Sequence, residues 1–344
     1  MSAPTERITI KDVAAAAGVS KGAVSLAFNH KPGVSEATRE RIFAVARQLG
    51  WAPNSSARSL SRQAVDTIGL AICRPAKLLG LEPFYMEFIS GIESVLAERD
   101  CSLLLRLVGS LEEEIQLQER WWRQRQIGGS IVVDLREADP RIEPLRGLKL
   151  PAVTVGHPSL TGGFPSVWTD DATAVGEAVR YLAALGHRRI ARVGGPTDLG
   201  HSAIRADAFQ STMRELGLDG GQHMETDFSG EEGARATRSL LLSAHRPTAV
   251  LYDNDIMAVA GLGVATEMGI AVPDELSLLA WDDSQLCRLT HPTLSAMSHD
   301  VHTFGAKVAQ ALFQVIAGDD IASRPAATPR LVPRGSTAPP RPER

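Results

Sequence analysis

Aromatic residues are scarce in this chain: Phe, Trp and Tyr together make up 5% of its 344 residues. The interior must therefore rest on Ala, Val, Leu and Ile. Cysteine is scarcer still. Cys73, Cys101 and Cys287 are odd in number and far apart, so they form none of the close pairs that hold zinc or exchange disulfides. Buried, reduced thiols are expected, with no metal site and no cofactor. No apolar run approaches the roughly 20 residues that cross a bilayer, so no membrane partner is expected. Residues 1–10 lack the apolar segment of a signal peptide, which points to a cytoplasmic protein.

Catalytic signatures are missing as well. From residue 64 onward there is no Gly-x-Ser-x-Gly elbow, no phosphate-binding Gly-Lys pair and no His-Glu-x-x-His. Gly261 and Gly263 lie inside a helical stretch and lack the third glycine of a dinucleotide loop. Asp282-Asp283 could serve as an acid/base pair, but no complementary base is readable. A binding protein rather than an enzyme is expected.

What is present is an ordinary globular composition, 44% hydrophobic and 22% charged, in a chain too long for one core. Two or three domains are expected. The net charge of −4 hides an asymmetry: residues 1–62 carry nine Lys or Arg against four Asp or Glu, and the other 282 residues balance at −9. A small basic head on an acidic body suggests that one end meets a polyanion.

The head reads as three short helices. Thr9 suits an N-cap, Asp12 sits in the first turn, and Ile10, Val13, Ala14 and Ala17 share one face. Gly18 falls where the chain must turn, and Ser20 can cap a second helix over about 21–28 that buries Val24 and Phe28. Lys21, Gly22, Ser25, Leu26 and Asn29 are left facing outward. A third helix spans about 35–49, with Val34, Ile42, Val45, Ala46 and Leu49 inside. This is the pattern of a helix-turn-helix, although a three-helix bundle that binds no DNA would show the same periodicity.

The wording of the segment goes further. Ile10, Asp12, Val13, Ala14, Ala17, Gly18, Val19, Ser20, Val24, Ser25, Asn29, Val34, Ser35, Thr38 and Arg39 resemble the LacI/GalR family of bacterial repressors in order and spacing. Pro53, Asn54, Ala57, Arg58 and Leu60 continue the likeness. The resemblance implies a helix-turn-helix domain at 7–52, a hinge at 53–63, an effector-binding domain at 64–325 and a tail at 326–344. It places Lys21, Gly22 and Leu26 at base-reading positions in the major groove. Gly22 offers no side chain, and Leu26 stands where an Arg is usual, so it can give only apolar contact, for instance to a thymine methyl. Ser20, Ser25, Asn29, Ser35 and Thr38 suit phosphate oxygens. In the hinge, Asn54 suits a cap, while Ala57 and Leu60 match positions that enter the minor groove as a wedge when two hinge helices pair on DNA.

From Asp66 onward, apolar runs alternate with helical stretches. Strands are expected at 67–72, 102–108, 129–134, 152–155, 189–193, 248–252 and 276–280, with helices between them. Such alternation means parallel sheets covered on both faces, which take ligands at the carboxyl ends of their strands. The body also resembles the repressor family, in Ile68-Gly69, Phe84-Tyr85 with Gly91-Ile92-Glu93, Leu185-Gly186-His187, Thr248-Ala249, Asn254-Asp255 and Trp281-Asp282-Asp283. That likeness implies the two-lobed α/β fold of periplasmic sugar-binding proteins. One lobe would hold about 64–164 and 296–325, the other about 165–295.

Effector positions follow residue by residue. Arg205, three residues before Ala208-Phe209, matches a ligand-clamping arginine; Asn254 and Asp282 match polar contacts; Phe84, Tyr85 and Phe228 match apolar walls; His201 matches a variable polar contact. A further position, often acidic in the family, is Gly156 here, followed by His157. His187 and Asp283 read as structural. The implied protein is a repressor of carbohydrate-utilisation genes that binds a palindromic operator as a homodimer and responds to a small polar effector, a sugar. A transport-type sugar-binding protein or an enzyme of the same fold is the alternative; the first needs an export signal and no basic head. The tail 326–344, which spells a thrombin-like Leu331-Val332-Pro333-Arg334-Gly335-Ser336, is expected to be native and without order.

Overall fold

The computed structural model describes residues 8–29, 31–52, 66–218 and 221–341, in two compact units, Met1–Asp66 and Thr67–Arg344. The segment 53–63, with Asn54, Ala57 and Leu60, lies outside the described residues. Among the described residues no helix is long and apolar enough to cross a membrane.

The first unit is built from α1 (Ile10–Ala16), α2 (Lys21–Phe28) and α3 (Glu36–Gln48). Asp12 reaches back to its own helix start, accepting from the Thr9 backbone N–H and hydroxyl, both at 2.7 Å. Those bonds hold its carboxyl below the usual range. The turn to α2 is made at Gly18, whose φ of +64° a side chain would strain. There the Val19 N–H closes on Ala14 O at 3.0 Å, and the Ser20 hydroxyl accepts from Ala23 N at 3.1 Å. Val13, Ala14, Ala17, Val24, Ala27, Ile42 and Ala46 form the core. Phe28 is only half-buried, standing edge-on to Phe43 and Trp51 with centroids 4.8 and 5.2 Å away.

The second unit holds two six-stranded sheets. The first contains β1 (Thr67–Ile72), β2 (Ser102–Leu107), β3 (Gly129–Val132), β4 (Ala152–Val155), β5 (Ser166–Trp168) and β11 (Arg324–Pro325). Its order is β11-β5-β4-β3-β1-β2, parallel throughout. The second contains β6 (Ile190–Gly194), β7 (Gln222–Glu225), β8 (Ala249–Tyr252), β9 (Ser277–Asp282), β10 (Ser295–Ser298) and β12 (Arg330–Val332). Its order is β12-β10-β9-β8-β6-β7, with β12 antiparallel. Strand side chains alternate between two buried layers: Ile68, Leu70 and Ile72 enter one core and Ala71 the other. This covering of both faces is what the mixed Val/Leu/Ile runs require.

Around the first sheet lie α4 (Ala76–Leu79), α5 (Pro83–Glu98), α6 (Leu111–Arg123) and α7 (Ile142–Gly147). Around the second lie α8 (Asp171–Ala184), α9 (Gly200–Glu215), α10 (Gly230–Leu242), α11 (Asp255–Glu267) and α12 (Gln285–Leu289). Helix α13 (Val301–Ala317) follows β10 of the second sheet yet packs into the first lobe, against α5. Glycines make that approach possible: a Cβ on Gly91 would lie 1.9 Å from His302 O, and one on Gly305 2.1 Å from Phe88 O. The chain thus crosses between lobes after Trp168, after Ser298 and after Pro325.

The tail differs from expectation. Rather than lacking order, it completes the second lobe. The Ser336 hydroxyl accepts from Ser295 N at 2.8 Å and donates to Leu278 O at 2.6 Å, fully buried. Arg334 pairs with Asp283 at 2.7 Å, and Ala338 O meets the His187 ring at 2.9 Å, so both residues read as structural do serve structure. Polar backbone and hydroxyl bonds, not apolar periodicity, fix this segment, which is why its sequence reads as a loose end.

Candidate nucleic-acid interface and ligand cleft

In the head, Ser20, Lys21, Gly22 and Ser25 are exposed over the first turns of α2, while Leu26 and Asn29 are half-buried. Asn29 Nδ2 donates to Ser25 O at 2.9 Å. Ser35 caps α3 by accepting from Thr38 N at 3.4 Å, and its hydroxyl meets Thr38 Oγ1 at 2.9 Å. Two helix starts, each with unpaired N–H groups and a hydroxyl cap, lie within one short stretch of chain, and such ends favour phosphate.

In the body, Phe84, Tyr85, His201, Arg205, Phe228, Asn254 and Asp282 all line one cavity of about 800 Å³, mouth included, between the two lobes. It is built from strand ends and helix starts, as a doubly wound sheet requires. Asp134 follows β3, His157 follows β4, Trp168 ends β5, Asp253 and Asn254 follow β8, and Asp282 ends β9. Glu82, Phe84, Tyr85 and Phe88 come from the start of α5, Asp171 from α8, and His201 and Arg205 from α9. Asp134, Phe228 and Asp282 hold left-handed φ values of 53°, 70° and 73°. Side chains rarely adopt this conformation, and its concentration at a cavity marks a site whose surroundings hold it in place.

The first-lobe wall centres on Arg74. Its Nε and Nη2 donate to Asp134 at 2.7 and 3.0 Å, Nη1 reaches Glu82 at 3.3 Å, and the Tyr85 hydroxyl donates to Asp134 at 2.8 Å. Burial alone would raise the Asp134 carboxyl, but the charge and hydrogen bonds of Arg74 hold it well below the usual range. Burial pushes Glu82 up to about 7, helped by the Asp134 and Asp282 carboxylates and opposed by Arg74. On the second-lobe wall, Arg205 Nε and Nη2 meet Asp171 Oδ1 at 3.0 and 2.9 Å, Nη1 reaches Asp253 O at 3.2 Å, and the guanidinium lies 4.3 Å from the Trp281 ring. Burial, with the charges of Arg205 and Arg74, lowers His201 to about 4, leaving a neutral ring with one donor and one acceptor.

Asn254 is more committed than its sequence role suggests. Its Oδ1 caps α11 by accepting from Met257 N at 2.9 Å, and Nδ2 donates to Phe228 O at 2.9 Å. Tyr85 is likewise packed away, with only its hydroxyl turned to Asp134. The sequence reading missed Arg74, Glu82, Phe88, Asp134, Trp168, Asp171, Asp253, His299 and Phe304, all on the wall. One signal was available for some: Asp134 and Asp253 are single charges directly after apolar strand runs.

A helix-turn-helix head in one chain with a two-lobed, cleft-bearing receptor defines a ligand-responsive, DNA-binding regulator. Residues 9–54 match the family model described as bacterial regulatory proteins, lacI family, and residues 179–337 match the periplasmic binding protein-like domain. The HTH-type transcriptional repressor CytR of Escherichia coli (strain K12) is 31% identical over 340 residues, 96% of each chain. The HTH-type transcriptional regulator CelR of Thermobifida fusca is 29% identical over 320 residues, 91% of this chain and 93% of that one. Among solved structures, a LacI family transcriptional regulator from Bifidobacterium animalis subsp. lactis is 38% identical with a TM-score of 0.74, covering 80% of this chain and 99% of its own. A transcriptional regulator CelR–cellobiose complex is 28% identical with a TM-score of 0.72, covering 96% and 100%. This chain belongs to the lacI family of bacterial regulatory proteins, and it is a DNA-binding transcriptional regulator.

Proposed function

We propose that this regulator is a cytoplasmic, homodimeric repressor of carbohydrate-utilisation genes, controlled by a sugar bound between its lobes. The observation that carries the reading is the convergence of Phe84, Tyr85, His201, Arg205, Phe228, Asn254 and Asp282 on one cavity, in a chain with a lacI-family head. Aromatic rings suit the C–H face of a sugar, and fixed donors and acceptors suit its hydroxyls. The complex of CelR with cellobiose supports a sugar as the ligand class.

On this reading, Lys21, Gly22 and Leu26 face bases, Ser20, Ser25, Asn29, Ser35 and Thr38 face phosphates, and Asn54, Ala57 and Leu60 belong to a hinge that engages the minor groove. Coupling requires that the ligand prefer one arrangement of the lobes. Several contacts depend on that arrangement. Asn254 reaches Glu82 at 3.4 Å, Arg74 lies 4.7 Å from the Phe228 ring, Gly200 N donates to Leu135 O at 2.7 Å, and Arg136 pairs with Asp198. A ligand touching both walls biases the same hinge-like motion. The test is a mobility-shift assay on an operator selected from random DNA, repeated with neutral sugars. A selected palindrome whose binding changes with one sugar supports the reading. Specific DNA binding that no sugar alters would remove the sugar.

A further inference from the structure

Both guanidinium groups in the cleft are already neutralised. Arg74 is chelated by Asp134 and touches Glu82; Arg205 is held on two nitrogens by Asp171. The Asp253 carboxylate on the same wall is taken by Arg192. Among the described residues, Arg74 and Arg205 thus face Asp134, Asp171 and Asp282, with the Glu82 carboxyl, pushed up to about 7, beside them, and Asp282 pairs with the His299 ring at 3.1 Å. Recognition of a carboxylate or phosphate uses a guanidinium free to form two parallel bonds. Here an anion entering the cleft would have to share Arg205 with Asp171 and lie near the other carboxylates, a like-charge contact in a partly dry site.

We infer that the cleft selects an uncharged ligand rich in hydroxyl or amide groups, and that Asp171, through its hold on Arg205, sets this selection. The inference rests on reading the cleft as the effector site. Asp171 is a positioning residue. It fixes the guanidinium, leaving the remaining N–H bonds as donors to neutral oxygens, while the neutral His201 ring and the Asp282 carboxylate supply acceptors. Asp171 sits at the first position of α8, and its other oxygen accepts from the Thr169 hydroxyl at 3.3 Å. Its side chain is therefore fixed from two sides.

The test compares the full-length wild type with Asp171→Asn. The probes are inorganic phosphate, against chloride at equal ionic strength, and matched pairs: glucose with glucose 6-phosphate, ribose with ribose 5-phosphate, uridine with uridine monophosphate. Thermal unfolding and calorimetry are the readouts. In the wild type, phosphate should act as chloride does, and no charged member should bind more tightly than its neutral parent. In Asp171→Asn, phosphate binding should appear, and preference within a pair should move at least tenfold toward the charged member. A merely structural role would lower stability without moving that preference. Wild-type binding of phosphate, or of a charged member above its parent, overturns the inference. So does a folded Asp171→Asn that treats phosphate as chloride. If the variant does not fold, the wild-type comparisons decide alone. A nucleoside that binds where no sugar does would fell the sugar reading and leave charge selection standing; a sugar phosphate preferred over its sugar would do the reverse.

Discussion

Glu82 and Asn254 meet across the cleft, the amide nitrogen of the second lobe lying 3.4 Å from the carboxylate of the first. Burial, with Asp134 and Asp282 nearby and Arg74 opposing them, moves this carboxyl from 4.5 to about 7. Between those values the folded chain holds a proton there that the unfolded chain has lost. Glu82 therefore contributes stability that falls as pH rises through that window. Glu114, up to about 7, and Asp255, up to about 6, act in the same sense, while His201, down to about 4, acts oppositely. The difference in Tm between Glu82→Gln and wild type isolates the one group. It should grow in favour of the variant from about pH 5 to about pH 8. A difference that stays flat would show that Glu82 is ionised throughout.

Ser336 is the bolt of the tail. Replacing it with Ala leaves the buried Ser295 N–H and Leu278 carbonyl each without that hydroxyl. A buried group left unsatisfied costs about 1–3 kcal/mol. Urea unfolding of Ser336→Ala should show a loss in that range. Wild-type stability would mean that the tail is held by its other contacts alone.

How much of this was legible beforehand depended on the kind of force involved. The head could be read because its signals are local: Thr9, Asp12, Gly18 and Ser20 cap or turn helices at fixed spacing. The long strands and helices of the body showed as apolar runs. The short strands at 166–168, 222–225, 295–298 and 330–332 did not, since Gln222-His223-Met224-Glu225 and Ser295-Ala296-Met297-Ser298 are polar or small and gain their place from neighbours. In the cleft, family likeness pointed to Arg205 and Asn254, but not to Asp171 or Arg74. Ion partners far apart in sequence leave no periodic trace.

Gly22 offers a probe of the DNA face. It lies in α2, and a Cβ there would meet nothing nearer than Ser20 Oγ at 3.6 Å. Alanine fits, and replacing a helical glycine adds up to about 1 kcal/mol of stability. Gly22→Ala should fold at least as well as wild type yet bind operator more weakly, if DNA approaches this position closely. Lys21→Ala should weaken specific binding and blur preference at one or two base positions. Equal loss on specific and random DNA would make Lys21 a phosphate contact. Unchanged operator affinity in Gly22→Ala would mean that the glycine is no part of the contact.

Arg205 should control the response to ligand, but not without cost to the fold. The sequence alone suggests a clamp that can be removed cleanly. The structure shows the same guanidinium compensating Asp171, capping the Asp253 carbonyl and covering Trp281. Removing one partner of a buried ion pair costs about 3–5 kcal/mol, because the other charge is left behind. Arg205→Ala should therefore melt earlier than wild type as well as lose its ligand response. The double variant Arg205→Ala, Asp171→Asn removes the stranded charge and should recover much of the Tm while remaining insensitive to ligand. Recovery of stability without response separates the two roles of Arg205. If ligand affinity measured by calorimetry returned with stability, Arg205 would be a structural residue of the lobe and no part of the binding site.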